Sequence, residues 1–163
     1  MKKIFVILAL ALPMLVSAQK FGHVNTTELF QQMPEVNQVK AQMDTIQAQY
    51  ETQLTLMQEE LQKKYQDYQQ NEATMPDAIK QMKQQELQEM QGRIQTFYQT
   101  AEQDIQKKQQ ELLAPVHEKM SKAIKAVGER DGYTYIFDSA AMVYIAPAAI
   151  DASPAVRKEL GIK

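Results

Sequence analysis

The strongest constraint on this chain is a pair of long amphipathic stretches, over residues 36–68 and 79–127. Apolar residues of the first stretch recur at steps of three and four, as on one face of an α-helix. They are Val36, Val39, Met43, Ile46, Tyr50, Leu54, Met57, Leu61, Tyr65 and Tyr68. The short polar break at 70–77 predicts that two long helices form an antiparallel hairpin.

The second stretch is longer than the first and contains two weak points. Gly92 lowers helix propensity by about 1 kcal/mol relative to Ala. Pro115 removes a backbone donor, so we predict a kink there. Because the second helix is the longer one, its last third must pack against something other than the first helix.

Capping residues predict where the helices begin. Asn25 is the expected N-cap of a short helix over 26–32, with Glu28 bonding back to it. Pro34 suits the first turn of the next helix, and Thr74 is the expected cap of the second long helix. A final short helix over 153–160 is predicted to start with Ser153 as its cap.

Short β-forming segments bracket the hairpin. Residues 20–24 precede it, and residues 133–138 follow it with aromatic and β-branched side chains. Residues 142–146 are predicted to form another strand, which ends at Pro147. This is too little sheet to be stable alone, so the sequence predicts that oligomerisation completes it.

The N-terminus has the composition of a secretory signal peptide. Lys2 and Lys3 precede an apolar run at 4–12, and Ala18 ends a small-residue cleavage site. The run is shorter than the ~20 residues that a transmembrane helix needs. We predict that residues 1–18 are removed after Ala18 and that the mature chain is exported.

Composition argues against several functions. Without Lys2 and Lys3, 16 basic residues face 20 acidic ones, a formal charge of 16 − 20 = −4, whereas nucleic-acid binders need a basic surface. There is no cysteine for a disulfide or a thiolate metal site. The two histidines, His23 and His117, are far apart, and the chain has no nucleotide-binding or nucleophile motif. We therefore expect no nucleic acid partner, no enzymatic activity, no cofactor and no metal.

Several local sequences, taken in order, resemble the Skp/OmpH family of periplasmic chaperones. They lie at 21–25 (FGHVN), 109–116, 132–138 (GYTYIFD) and 150–160, so the likeness covers essentially the whole mature chain. It implies a mainly α fold with a small β part, in which a helical-hairpin arm at 34–112 projects from a β-containing body. That body would comprise 19–33 and 113–163 and would be completed by trimerisation.

The resemblance also implies a function. Three arms of a homotrimer would enclose a cavity that holds unfolded outer-membrane β-barrel proteins in the periplasm without ATP. Strongly basic members of the family contact lipopolysaccharide or anionic lipid, and the net acidic charge of this mature chain argues against that contact here.

Two sets of residues are candidates for these roles. For client contact we predict residues near the tip at 70–77, where flexible Met side chains adapt to many apolar surfaces: Tyr65, Tyr68, Met75 and Met82. For the trimer core we predict apolar residues of the β segments: Phe21, Val24, Tyr135, Phe137, Val143 and Ile145. Most of the seam is expected to join the two helices of one arm, although part of it could face the cavity.

A different class of protein fits the helices as well. A structural coiled-coil protein of the envelope, a spacer or an adaptor for one specific partner, would show the same glutamine-rich solvated surface. The shape of the oligomer separates the two: splayed arms around a cavity indicate a chaperone, and a closed end-to-end coiled coil indicates a spacer.

Overall fold

The computed structural model describes residues 19–162, so the predicted signal peptide at 1–18 lies outside the described residues. The helices and strands in chain order are β1 (Phe21–Val24), α1 (Thr26–Gln32), α2 (Pro34–Asn71), α3 (Asp77–Asp131), β2 (Tyr135–Asp138), β3 (Ile150–Asp151) and α4 (Ser153–Leu160). Two 3-10 turns lie between them: Glu72–Thr74 follows α2, and Ser139–Ala141 follows β2. The fold is mainly α with a small β part, as the sequence predicts.

Helices α2 and α3 form the antiparallel hairpin. At 1.5 Å per residue, the 38 residues of α2 span about 57 Å and the 55 residues of α3 about 82 Å. Helix α3 continues without a break through Gly92 and Pro115, and the kink at Pro115 stays a prediction. None of the helices within 19–162 is both long and apolar enough to cross a membrane.

The sheet is parallel, and β1 lies at its centre in the order β2-β1-β3. Phe21 faces Tyr135 across one edge of β1, and Gly22 faces Ile150 across the other. Backbone bonds extend the pairing on both sides, from Thr134 N to the Lys20 carbonyl and from Ala152 N to the His23 carbonyl, each 2.8 Å. Both edges of β1 are therefore paired within one chain.

The predicted strand at 142–146 is wrong. These residues form an irregular loop, and the other outer strand is the two-residue β3. Val143 in this loop is fully exposed and Tyr144 is 78% exposed. The β-forming side chains of the loop have no ladder partner within the described residues, so propensity alone does not make them a strand.

The predicted caps are partly correct. The Asn25 side chain accepts a hydrogen bond from Glu28 N at 3.0 Å, and Pro34 starts α2, both as predicted. The Glu28 carboxylate does not bond back to Asn25 and instead pairs with Arg157 of α4. Asn25 N donates to the Ser153 hydroxyl at 3.3 Å, so the start of α1 is tied to the start of α4.

Two predicted caps lie elsewhere. Ser153 is the first residue of α4 and is buried, and the Asp151 carboxylate accepts its backbone N–H at 2.8 Å. Pro76 precedes α3, while the Thr74 hydroxyl donates to the Asn71 carbonyl at 3.0 Å. The Ser153 hydroxyl accepts from Asn25 N, and the Thr74 hydroxyl donates to the Asn71 carbonyl. Each hydroxyl therefore bonds a backbone group other than the helix N–H that it was predicted to cap.

The core lies at the base of the hairpin, where α1, α4 and the sheet meet the ends of α2 and α3. The largest fully buried side chains, 0–2% exposed, are Val24, Leu29, Met33, Val127 and Val156. Around them lie Val39, Met43, Val116, Met120, Ala123 and Leu160. The division into body and arm at residues 34 and 112 stays a prediction, because this core extends into α2 and α3.

Asp138 joins the end of β2 to α1. Its carboxylate accepts hydrogen bonds from the Thr26 hydroxyl and from Ala140 N, the second at 3.0 Å. The hydrogen bond from Thr26 lowers the pKa of Asp138, although partial burial opposes the shift. The ionised carboxylate therefore stabilises the folded body.

We expect Gly22→Ala to destabilise the body by about 1–3 kcal/mol. A Cβ at this position would lie 2.6 Å from a ring carbon of Tyr133 and 3.4 Å from the Ile150 carbonyl oxygen. Gly92→Ala is the matched control, because its Cβ meets nothing within 4 Å, and it should stabilise α3 by about 1 kcal/mol. Thermal unfolding at one protein concentration measures both changes, and equal melting temperatures for the two variants would contradict the packing at Gly22.

We expect Asp138→Asn to lower stability near neutral pH by about 1 kcal/mol. The pKa of Asp138 is lower in the folded chain than its ordinary value of 3.8, so the folded state favours the ionised form. The stabilisation is therefore present above pH 3.8 and is lost as the pH falls through the folded pKa. Denaturant unfolding of both proteins between neutral pH and pH 3 should show the difference shrinking with acid, and a constant difference would contradict this role.

Candidate functional site

An aromatic cluster covers the outward face of the sheet. Phe21, Tyr135 and Phe137, here called the aromatic face, are 46%, 57% and 44% exposed. The Phe21 and Tyr135 rings stack with centroids 5.9 Å apart, and Phe137 lies 6.4 Å from Phe21 and 5.8 Å from Tyr135. These three trimer-core candidates are therefore brought together by the parallel register of β1 and β2.

The period of two along a strand explains why these rings point outward. In β1, Gly22 and Val24 face inward and are buried, whereas Phe21 faces solvent. Gly22 leaves room for the Tyr133 ring beneath the sheet, and the Lys20 ammonium lies 4.0 Å from the centroid of that ring. A residue larger than Gly at this position would push Tyr133 away and disturb the support under the aromatic face.

Val24 does not belong to this face. It is 2% exposed and packs in the core of the single chain, on the side of β1 opposite to Phe21. Because side chains alternate along a strand, Val24 faces the core of its own chain, and its assignment to the trimer core is corrected. Val143 and Ile145 lie in the loop between β2 and β3, the first fully exposed and the second half-buried.

Sequence reasoning missed two exposed apolar residues beside these candidates. Ile150, 43% exposed, lies on β3 opposite Gly22, and a two-residue strand has no detectable sequence period. Tyr144 lies between Val143 and Ile145 in the segment predicted as a strand. That segment is an irregular loop, in which both Val143 and Tyr144 are exposed.

His23 lies next to the aromatic face. Its side chain is 17% exposed, and its Nδ1 lies 4.0 Å from a carboxylate oxygen of Asp151 on β3. Burial raises the pKa of Asp151, but hydrogen bonds from Ser153 and the facing His23 outweigh it and leave the pKa lowered. Within the described residues, no three His, Cys, Asp or Glu side chains cluster as a metal site would require.

At the tip of the arm, the candidates for client contact divide into two kinds. Tyr65 and Met82 are about half exposed, at 50% and 54%, and Met75 is half-buried. Tyr68 is buried, and its hydroxyl donates to Glu72 at 2.9 Å and accepts from the Gln84 amide at 2.7 Å. Tyr68 therefore joins the two helices of the arm, and its assignment as a contact residue is corrected.

Ion pairs between α2 and α3 join the two helices near the tip of the arm. Lys64 of α2 pairs with Glu86 of α3, and Lys83 of α3 lies 3.9 Å from Asp67 of α2. Lys83 also lies 3.8 Å from Glu86 within α3. The hydrogen bond from Lys64 lowers the pKa of Glu86. These exposed pairs fix the relative position of the helices more than they add stability.

The seam of the arm is thinly packed along most of its length. Between the base core and the tip, only Tyr68, Met90 and Ala101 are buried. Leu54, Met57, Leu61, Ile94 and Phe97 are half-buried. Other apolar side chains of the arm remain exposed: Leu56, Ile79 and Tyr98.

Comparisons with known proteins agree with this architecture. The family model described as outer membrane protein (OmpH-like) matches residues 20–160. The chaperone protein Skp of Yersinia enterocolitica is 30% identical over 141 residues, which are 86% of this chain and 86% of that protein. The chaperone protein Skp of Pectobacterium atrosepticum is 28% identical over 132 residues, 81% of this chain and 80% of that protein.

A solved structure shares the fold. An OmpH-like protein from Caulobacter crescentus superposes with a TM-score of 0.78 at 18% identity, covering 87% of this chain and 83% of that one. The family model spans nearly all of the described residues, and the Yersinia relative matches over most of both chains. The chain therefore belongs to the Skp/OmpH family of chaperones.

Proposed function

We propose that this chain is an ATP-independent periplasmic holdase, which assembles as a homotrimer and keeps unfolded outer-membrane β-barrel proteins from aggregating. Residues 1–18 would direct its export and be removed after Ala18. The observation that carries the proposal is the exposed aromatic face, an apolar surface at the base of the arms that we expect other copies to cover. The names of the Skp relatives support a chaperone role.

Self-association would remove the aromatic face from water. Three aromatic rings in mutual contact on one small sheet form an apolar patch of the kind that marks an interface. Aromatic side chains dominate the energetics of such interfaces because each buries a large apolar area. The exposed Ile150 and the loop with Val143 and Tyr144 extend the apolar surface available to a second copy.

The outer strands would also gain partners. Within the described chain, β2 and β3 each pair with β1 on one edge only. Unpaired strand edges favour pairing with another chain, and closure into a barrel removes them. A shared barrel of strands from three copies would bury these edges and the aromatic face together.

In such a trimer the arms would project from the base and contact the client. The client chains expose alternating apolar residues, which aggregate when nothing covers them. Half-exposed apolar side chains such as Tyr65 and Met82 offer many weak contacts, and Met adapts its shape to different partners. Weak contacts and confinement would hold a client without a nucleotide cycle, so we propose no catalytic residue and no cofactor.

The charge of the mature chain bears on lipid binding. The excess of acidic residues gives no electrostatic attraction to anionic lipid or lipopolysaccharide. We therefore propose that client binding does not depend on such lipids. The apolar surfaces of the arms would hold the client without help from lipid.

We expect Phe137→Ala to weaken the trimer by about 3–5 kcal/mol, because the ring would be buried against other copies. Sedimentation velocity over a range of protein concentrations should show dissociation well above the concentration at which the unmodified chain dissociates. Tyr98→Ala removes an equally exposed aromatic ring from the arm and should leave the trimer intact. A Phe137→Ala protein that sediments as the same trimer at every concentration would refute the assignment.

We expect the double substitution Tyr65→Ser and Met82→Ser to weaken suppression of client aggregation about fivefold, since two half-exposed apolar contacts are lost. The assay is light scattering of a urea-unfolded outer-membrane barrel after dilution, titrated with the chaperone. The matched control changes two exposed polar positions near the tip, Gln66→Ser and Gln81→Ser. Equal suppression by both double variants would show that these tip residues do not contact the client.

A further inference from the structure

A groove lies midway along the arm, between α2 and α3, with a volume of about 330 Å³. This is near the lower end of the volumes of pockets that bind small ligands. Its apolar lining consists of Tyr50, Leu54, Phe97, Tyr98, Ala101 and Ile105. The groove lies where the seam is thinly packed, since Leu54, Phe97 and Ile105 are only half-buried.

Aromatic rings form much of the lining. Tyr50 and Phe97 contact each other across the two helices with ring centroids 5.9 Å apart, and Tyr50 donates a hydrogen bond to Asp104 at 2.5 Å. Tyr98 is 52% exposed, so about half of this side chain is accessible to a ligand. Such rings attract cations to their faces as well as apolar groups.

The polar lining of the groove is acidic. Glu51 and Glu102 contribute carboxylates and Gln47 an amide, and no Lys or Arg of the described residues lines the groove. Neither carboxylate has an ion-pair partner among residues 19–162. Hydrogen bonding to Glu102 raises the pKa of Tyr98.

The groove also lies in the most acidic part of the arm. Segments 44–60 and 87–105 contain seven acidic residues and one basic residue, so their formal charge is 1 − 7 = −6. Clusters of lysines flank this region on both sides, Lys63 and Lys64 toward the tip and Lys107 and Lys108 toward the base. A cation is therefore favoured at the middle of the arm and an anion is not.

From this combination we infer that the mid-arm groove binds extended segments of unfolded polypeptide in which an apolar side chain lies beside Lys or Arg. The apolar side chain fills the groove against Phe97 and Leu54, while the cation lies near Glu51 and Glu102 and over the Tyr98 ring. The inference rests on the proposed holdase function, and it adds that this part of the arm selects segments by charge.

The direct test compares two fluorescent peptides of sequence Ser-Gly-Phe-X-Phe-Gly-Ser, with X either Arg or Glu. Anisotropy titration of the full mature chain should show the Arg peptide binding about tenfold more tightly, since each exposed ion pair contributes a small factor. Glu51→Gln with Glu102→Gln should abolish the preference. The control, Asp44→Asn with Glu59→Gln, makes the same change in net charge outside the groove and should keep the preference.

A second pair of variants tests the apolar part of the groove. Tyr98→Ala should weaken binding of the Arg peptide severalfold, whereas Leu56→Ala, equally exposed but outside the groove, should not. Circular dichroism of each variant checks that the arm remains helical. Equal effects of the two substitutions would overturn the groove as the binding surface.

The outcomes separate this inference from the proposed function. If both peptides bind equally or neither binds, while an unfolded barrel is still kept from aggregating, the charge preference is wrong and the holdase stands. If the control double variant loses the preference as well, net charge and not the groove is responsible, and the inference is overturned. If the unmodified chain fails to suppress aggregation, the proposed function itself fails.

Discussion

The central strand β1 is the interaction on which the rest of the structure depends. It pairs with β2 on one edge and β3 on the other, so three segments far apart in the sequence meet in one small sheet. The pairing of Phe21 with Tyr135 closes a loop that contains the whole helical hairpin. Bonds from Asn25 N to Ser153 and from Thr26 to Asp138 tie the adjoining helix to the same base. The sheet therefore supports the same end of the two long helices that the buried core joins.

The base of the hairpin and the arm differ in how tightly their side chains are packed. At the base, side chains such as Leu29, Met33 and Val127 are completely buried, which makes this region the stable part of the chain. Along the arm the seam is half-buried and the helices are joined by isolated contacts such as Tyr50 with Phe97. Regions with few buried contacts open at low free energy. A stable base with adaptable arms suits a protein that must accept many client sequences.

The sequence predicted much of this fold for a clear physical reason. Apolar spacing, Asn25 as a cap and Pro34 in the first turn are local signals, and the helices follow them. The loop at 142–146 misled the prediction because β propensity becomes a strand only when a partner edge is available. Tyr68 was misplaced for a related reason: only the packing of α2 on α3 shows that its hydroxyl lies between Glu72 and Gln84. The acidic groove was beyond sequence reasoning, because it joins side chains from two helices about fifty residues apart.

We propose that other copies of this chain cover the outward face of the sheet, and the assembly of the trimer depends on this contact. Small-angle X-ray scattering of the mature chain, with the mass taken from the forward scattering, tests it directly. We expect the mass of three copies and a shape with separate arms around an open interior. The mass of a single chain at tens of micromolar, or a closed end-to-end rod typical of an envelope spacer, would contradict the account.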